Sequence, residues 1–162
     1  MSESNPHMQS TQYLTFMLDN EVFAVDIAKV REVLELINIT KVPRTPDFMR
    51  GVINLRGSVV PVVDMRLKFG MNPTAKTVNT CIIIVEIVHD DEITVMGALA
   101  DSVREVMELE PDQIEPPPKI GTRLRSDFLR GMGKYDDRFI MILEIDRIFS
   151  SEELSTLQEA SL

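Results

Sequence analysis

The heptapeptide Val30-Arg31-Glu32-Val33-Leu34-Glu35-Leu36 returns 73 positions later as Val103-Arg104-Glu105-Val106-Met107-Glu108-Leu109, with six of seven residues unchanged. A second echo, Asp47-Phe48-Met49-Arg50-Gly51, reappears 80 positions on as Asp127-Phe128-Leu129-Arg130-Gly131. The change of offset places a longer loop in the second copy. Glu115-Pro116-Pro117-Pro118 supplies it, because a proline run cannot hold a central strand. At the offset of 80, Val60-Pro61-Val62-Val63-Asp64-Met65 also aligns with Ile140-Met141-Ile142-Leu143-Glu144-Ile145. The chain reads as a duplicated lobe.

The expected organisation is a flexible tail over 1–11, lobe 1 over about 12–76, lobe 2 over about 77–150, and a helix or tail over 151–162. Lobes of roughly 60 to 75 residues are near the limit at which one hydrophobic core suffices. They are therefore expected to pack on each other, with a groove between them suited to a ligand or partner.

Within each half the pattern is mostly strand. Leu14, Phe16 and Leu18 alternate with Thr15 and Met17 before Asp19-Asn20 and Val22-Phe23-Ala24-Val25, which predicts a hairpin. Ile82 to Val88, His89-Asp90-Asp91-Glu92 and Ile93-Thr94-Val95-Met96 write the same hairpin again. Val30 to Ile37 is rich in β-branched residues and lacks a full helical stripe, so it reads as a strand. Asn54-Leu55-Arg56-Gly57 predicts a further turn. About five short strands per half argue for small barrels. Helix is sparse. Thr45-Pro46-Asp47 before Gly51 reads as one capped turn. Ser150 and Glu153 are spaced as a capping box opening a helix to about Ala160.

The chain has 162 residues and a formal net charge of −9. Phosphate binding needs clustered Lys and Arg, and no such block exists, which argues against nucleic acid as a partner. The single cysteine, Cys81, allows no internal disulfide and no Cys-rich zinc site, and is expected to act as a small buried hydrophobe. No signal peptide and no apolar run of about 20 residues is visible. The expectation is a cytoplasmic chain with no direct membrane insertion.

A search for chemistry finds little. His7 and His89 have no sequence neighbours spaced as a catalytic or metal-binding set. The seven glycines follow no phosphate-loop pattern. Asp64 and Glu144 are repeat-related carboxylates, but each closes an apolar strand. They are expected to cap a turn or to pair with Arg66 or Arg147. No metal, cofactor or catalytic residue is predicted.

The repeat is most informative where it fails. At the offset of 80, Asn54-Leu55-Arg56-Gly57 faces Lys134-Tyr135-Asp136-Asp137, so one tip carries Arg where the other carries Asp. A drifted solvated tip is one reading. The other is that Arg56 contacts another protein, since Arg is a favoured interface anchor. The strand Val30–Leu36 also carries apolar and charged residues on both faces. It is either an edge strand with a solvated side or a strand covered by a partner.

Phe23-Ala24-Val25-Asp26-Ile27, Val30-Arg31-Glu32-Val33, Thr45-Pro46 and, most specifically, Gly51-Val52-Ile53-Asn54-Leu55-Arg56-Gly57-Ser58-Val59-Val60-Pro61-Val62-Val63-Asp64-Met65-Arg66 resemble the CheW family. The resemblance covers about Gln12 to Phe149. It implies a mainly β fold of two intertwined SH3-like five-stranded barrels with a short C-terminal helix. It also implies a non-enzymatic adaptor that couples chemoreceptors to the histidine kinase CheA. The implied partners are the kinase's regulatory domain, the cytoplasmic tip of the receptor and further copies of the adaptor in a membrane-associated array. By motif, Val30, Glu32, Arg56 and Val106 match receptor-groove positions, and Leu34 and Val42 match the kinase-facing patch. A paralogue serving a pilus or biofilm array, or a small SH3/OB-like ligand-binding barrel, are the alternative readings.

Overall fold

The protein is described by a computed structural model covering residues 10–117 and 126–160. In chain order its elements are β1 (Thr11–Leu18), β2 (Glu21–Asp26), β3 (Val30–Glu35), β4 (Met49–Leu55), β5 (Ser58–Asp64), α1 (Met65–Lys68), β6 (Cys81–His89) and β7 (Glu92–Ala100). They continue with β8 (Ser102–Leu109), β9 (Ile114–Glu115), β10 (Leu129–Tyr135), β11 (Arg138–Leu143) and α2 (Ser151–Ala160). The expected tail 1–11 lies largely outside the described residues. Thr11 already belongs to β1, opposite Leu109.

Four hairpins share one turn chemistry. Asp19-Asn20, Arg56-Gly57, Asp90-Asp91 and Asp136-Asp137 all have positive φ at both central residues, the signature of the two-residue turn that matches strand twist. Register confirms the offset of 80. Gly51 lies opposite Val62 and Leu55 opposite Ser58, while Gly131 lies opposite Ile142 and Tyr135 opposite Arg138.

The two halves do not fold side by side. One sheet runs β8-β1-β2-β11-β10-β9 and the other β3-β6-β7-β5-β4. The first-half hairpin β1–β2 thus completes a barrel of second-half strands, and β6–β7 completes the barrel of first-half strands. The joins are parallel, with Phe23 opposite Met141 and Val62 opposite Gly97. The sixth strand of the larger sheet is the two-residue β9. Its counterpart in the first half is the single bridge between Thr40 and Val52.

Each barrel has its own apolar interior, and a larger third cluster lies between them. Ile53, Val62, Ile82 and Leu99 fill the five-stranded barrel, and Tyr13, Met107, Ile140 and Ile142 fill the other. The shared cluster includes Phe23, Phe69, Met96, Phe128 and Phe149. Phe69 meets Phe128 and Phe48 meets Phe149, both at 5.9 Å between ring centres. These are two repeat-related pairs crossing between halves. Lys68 Nζ stands 5.2 Å from the Phe48 ring and 3.0 Å from the Glu153 carboxylate, which ties α2 to this cluster.

Several sequence expectations need correction. Asp64 does cap α1, accepting from the Arg66 and Leu67 N–H groups, but its ion-pair partner is Arg50 at 2.8 Å rather than Arg66. The repeat equivalent holds, with Glu144 paired to Arg130 at 3.0 Å rather than to Arg147. Arg66 instead reaches Asp101. A strand-end carboxylate is met by the Arg on the neighbouring strand of its own hairpin, which sequence proximity hides. Thr45 does not cap its turn; its hydroxyl donates back to the Val42 carbonyl. Cys81 is half-buried, with Sγ 3.0 Å from the Asn79 carbonyl oxygen.

Candidate functional site

The site is built at the β4–β5 tip. Arg56 occupies a positive-φ position, and the next N–H, that of Gly57, donates to Asn54 Oδ1 at 2.9 Å. The guanidinium is thereby aimed at β3. A bulge between Val30 and Glu32 shifts the register so that Glu32 lies opposite Ile84, a residue of the barrel interior. Glu32 therefore points to the barrel's open mouth, where the Arg56 guanidinium forks onto it. Nη1 is 3.2 Å from Oε1, and Nη2 contacts Oε2. Such two-pronged pairs fix geometry as well as charge. The hydrogen bond from Arg56 holds the Glu32 carboxyl below its ordinary pKa, and Glu32 raises that of Arg56.

Beside this fork lies a cavity of about 430 Å3 walled by Leu55, Val59, Val95 and Ile93, with Arg31 and Arg56 at its edge. Gln158 of α2 also lines it and is held by donation to Thr94 Oγ1 at 2.9 Å. Arg31 pairs with Glu86. Both cations remain open to solvent, Arg56 with 70% and Arg31 with 52% of the side chain accessible. The site can therefore bind an acidic or apolar protein surface.

The structure joins two of the sequence-predicted residues directly, Glu32 and Arg56. Val30 lies on the other side of the bulge and packs, half-buried, on the central cluster. Val106 is exposed on β8 of the other sheet, opposite Leu14 of β1. Leu34 packs partly into the five-stranded barrel, and Val42 partly onto the central cluster. Sequence reasoning named Glu32 and Arg56 separately but missed their pairing. The failed repeat at the tips was the available signal for Arg56. No local pattern marks the pairing, because Glu32 on β3 and Arg56 at the β4–β5 tip lie on strands that are not neighbours in the sheet.

One contact resembles catalytic machinery. His89 Nε2 lies 2.9 Å from Ser151 Oγ and 3.4 Å from Asp90 Oδ2, a neighbour the sequence did not reveal. Both contacts fall on the same ring nitrogen. The carboxylate therefore cannot orient the imidazole from its far side, as a nucleophile-activating relay requires. Among the described residues, no three His, Cys, Asp or Glu side chains converge as metal ligands, and no helix is long and apolar enough to cross a membrane.

A family model described as "CheW-like domain" matches residues 12–153. The chain belongs to this family. The chemotaxis protein CheW of Klebsiella aerogenes is 33% identical over 150 residues, covering 93% of this chain and 88% of that one. Its Helicobacter pylori counterpart is 30% identical over 151 residues, again covering 93% and 88%. The crystal structure of the scaffolding protein TtCheW from Thermoanaerobacter tengcongensis superposes with a TM-score of 0.78 at 36% identity, covering 90% of this chain and 96% of that one. This CheW-family chain is thus a non-enzymatic chemotaxis scaffold of two SH3-like barrels, and the ligand-binding-barrel and non-motility readings are not favoured.

Proposed function

We propose that the chain couples the cytoplasmic tip of chemoreceptors to the regulatory domain of the histidine kinase CheA, within membrane-associated arrays that further adaptor copies could join. The observation that carries the site assignment is the solvent-open fork of Arg56 on Glu32 at a barrel mouth. Fold maintenance does not require it, since the sister turn carries Asp at the same place. Val30, Glu32, Arg56 and Val106 form the receptor-facing set, and the kinase-facing surface centres on Leu34 and Val42, whose side chains are only partly buried.

An adaptor of this kind works by linked binding. Contacts of about micromolar strength, roughly 8 kcal/mol each, become firm when repeated in an array. A signal passes only if the receptor state changes the differential affinity for its partners.

The test is kinase autophosphorylation with receptor-containing membranes from the same cell, comparing no adaptor, wild type and Arg56→His, with folding checked by circular dichroism. Stimulation by wild type and its loss in folded Arg56→His is the expected result. Stimulation that survives the substitution keeps the adaptor role and discards Arg56. No stimulation by wild type with competent kinase and receptor removes the coupling assignment.

A further inference from the structure

We infer that the arch joining β3 to β4 is a cationic docking loop, in which Lys41 and Arg44 receive an acidic segment of the kinase regulatory domain. This rests on the kinase-facing reading of Leu34 and Val42, and it begins with backbone geometry. The non-glycine residues at positive φ are Asp19, Asn20, Arg44, Arg56, Asp90, Asp91, Asp136 and Asp137. Asp and Asn tolerate that conformation because their short side chains hydrogen-bond locally. The two exceptions are both arginines. One is Arg56 of the fork, and the other is Arg44.

Arg44 has a φ of 61° and follows Pro43 in an exposed turn. Proline followed by positive φ is the arrangement of a type II turn, whose second central position favours Gly or Asn. Arginine strains the backbone there, and its exposed side chain gives the fold nothing in return. Residues held in such conformations cluster at working surfaces.

The arch is also held rigid. Thr40 exchanges two backbone hydrogen bonds with Val52, both at 2.8 Å. The Thr45 hydroxyl donates to the Val42 carbonyl at 3.0 Å, and Val42 packs partly on the central cluster. Between these anchors the turn presents its side chains already ordered, so little entropy remains to be lost on binding.

Charge identifies the occupant. In a chain of net charge −9, the stretch 36–48 carries Lys41 and Arg44 against Asp47 alone. The next cations along the chain are all engaged, Arg50 with Asp64, Arg56 with Glu32, Arg66 with Asp101 and Lys68 with Glu153. Among the described residues neither Lys41 nor Arg44 holds an ion pair, and both are exposed. They flank the half-buried Val42. A guanidinium forks onto carboxylates and an ammonium meets them as a point charge. The matching surface is therefore an apolar spot bordered by Asp or Glu.

Association kinetics of the full chain with the purified kinase regulatory domain, followed from about 50 to 500 mM salt, test this. Arg44→Asn is the informative variant, because Asn suits the turn. It is expected to melt at or above the wild-type temperature, and yet to associate roughly threefold or more slowly at low salt with dissociation little changed. The wild-type rate should fall with salt, and the two rates should converge as the charges are screened. Lys41→Gln is expected to slow association in the same way. Arg147→Gln, which removes a charge from an exposed position beyond β11, is expected to associate like wild type.

A wild type that does not bind the domain removes the kinase-facing reading and the docking loop together. Binding by the wild type with an unchanged rate and salt dependence in Arg44→Asn removes the docking loop alone. If Arg147→Gln slows association as much as Arg44→Asn, the effect is one of net charge and the loop is again discarded. An Arg44→Asn protein that melts well below the wild type shows Arg44 serving the fold, which overturns the argument from strain.

Discussion

Gly51 shows how a single position can carry a fold constraint. A Cβ there would lie 2.1 Å from the Thr40 carbonyl oxygen, and its φ is +144°. It sits at the bulge where the Thr40 bridge crosses β4. Gly57 is also at positive φ, +90°, but faces open space. Gly51→Ala should therefore cost about 3 kcal/mol or more, because backbone must move, and Gly57→Ala about 1 kcal/mol from conformation alone. Urea denaturation of the two variants checks the ranking. Asp64 offers a second case. It is fully buried, accepts from Thr74 N and Oγ1, and pairs with Arg50. Arg50→Met leaves that carboxylate without its cation and should cost about 3 kcal/mol by the same measurement. The equivalent Arg130 is shared among Glu144, Asp26 and Tyr13. Burial opposes its charge, but those partners outweigh burial and raise its pKa. The sequence showed both carboxylates as repeat-related. It could not show their cations, which lie across a strand pair.

At the scale of the element, α2 displays both what is local and what is not. Its capping box is local and legible: Glu153 N–H donates to Ser150 Oγ at 3.1 Å, and Ser150 N–H donates to Glu153 Oε1 at 2.8 Å. Its docking is not local. Leu154 and Leu157 are buried, Lys68 pairs with Glu153, and Gln158 reaches Thr94. Burial pushes the Glu153 pKa up, but Ser150 and Lys68 more than offset it and hold it below its ordinary value of 4.5. A carboxylate depressed on folding contributes stability that is full above its unfolded value and is lost as pH falls through the folded one. Amide exchange in α2 should therefore quicken as pH drops below 4.5, beyond the intrinsic pH trend. Glu153→Gln should flatten that added dependence while leaving α2 less protected at neutral pH. An unchanged pH profile in Glu153→Gln removes this carboxylate from the latch.

At the scale of the molecule, the exchange of hairpins makes each barrel depend on both halves. Cutting the chain between Lys76 and Thr77 should yield pieces that are unfolded alone and regain β structure on mixing, by far-ultraviolet circular dichroism. Two pieces that fold separately would falsify the exchange. The duplication, the hairpins and the four tight turns were legible in sequence because each rests on short-range rules: period-two alternation, turn residues and a repeated heptapeptide. The resemblance carried by Gly51–Arg66 named the family on the same local footing. What the sequence left open was which hairpin completes which barrel. Both pairings bury similar apolar strands, and β-branched runs such as Ile82–Val88 carry no address. The Arg56–Glu32 fork, the cavity beside it and the Phe cluster around Lys68 all follow from that choice. The sequence by itself determined the elements, their duplication and the family. Only tertiary structure decided which residues meet, because contacts between strands distant along the chain are fixed by the packing of whole sheets and not by any local pattern.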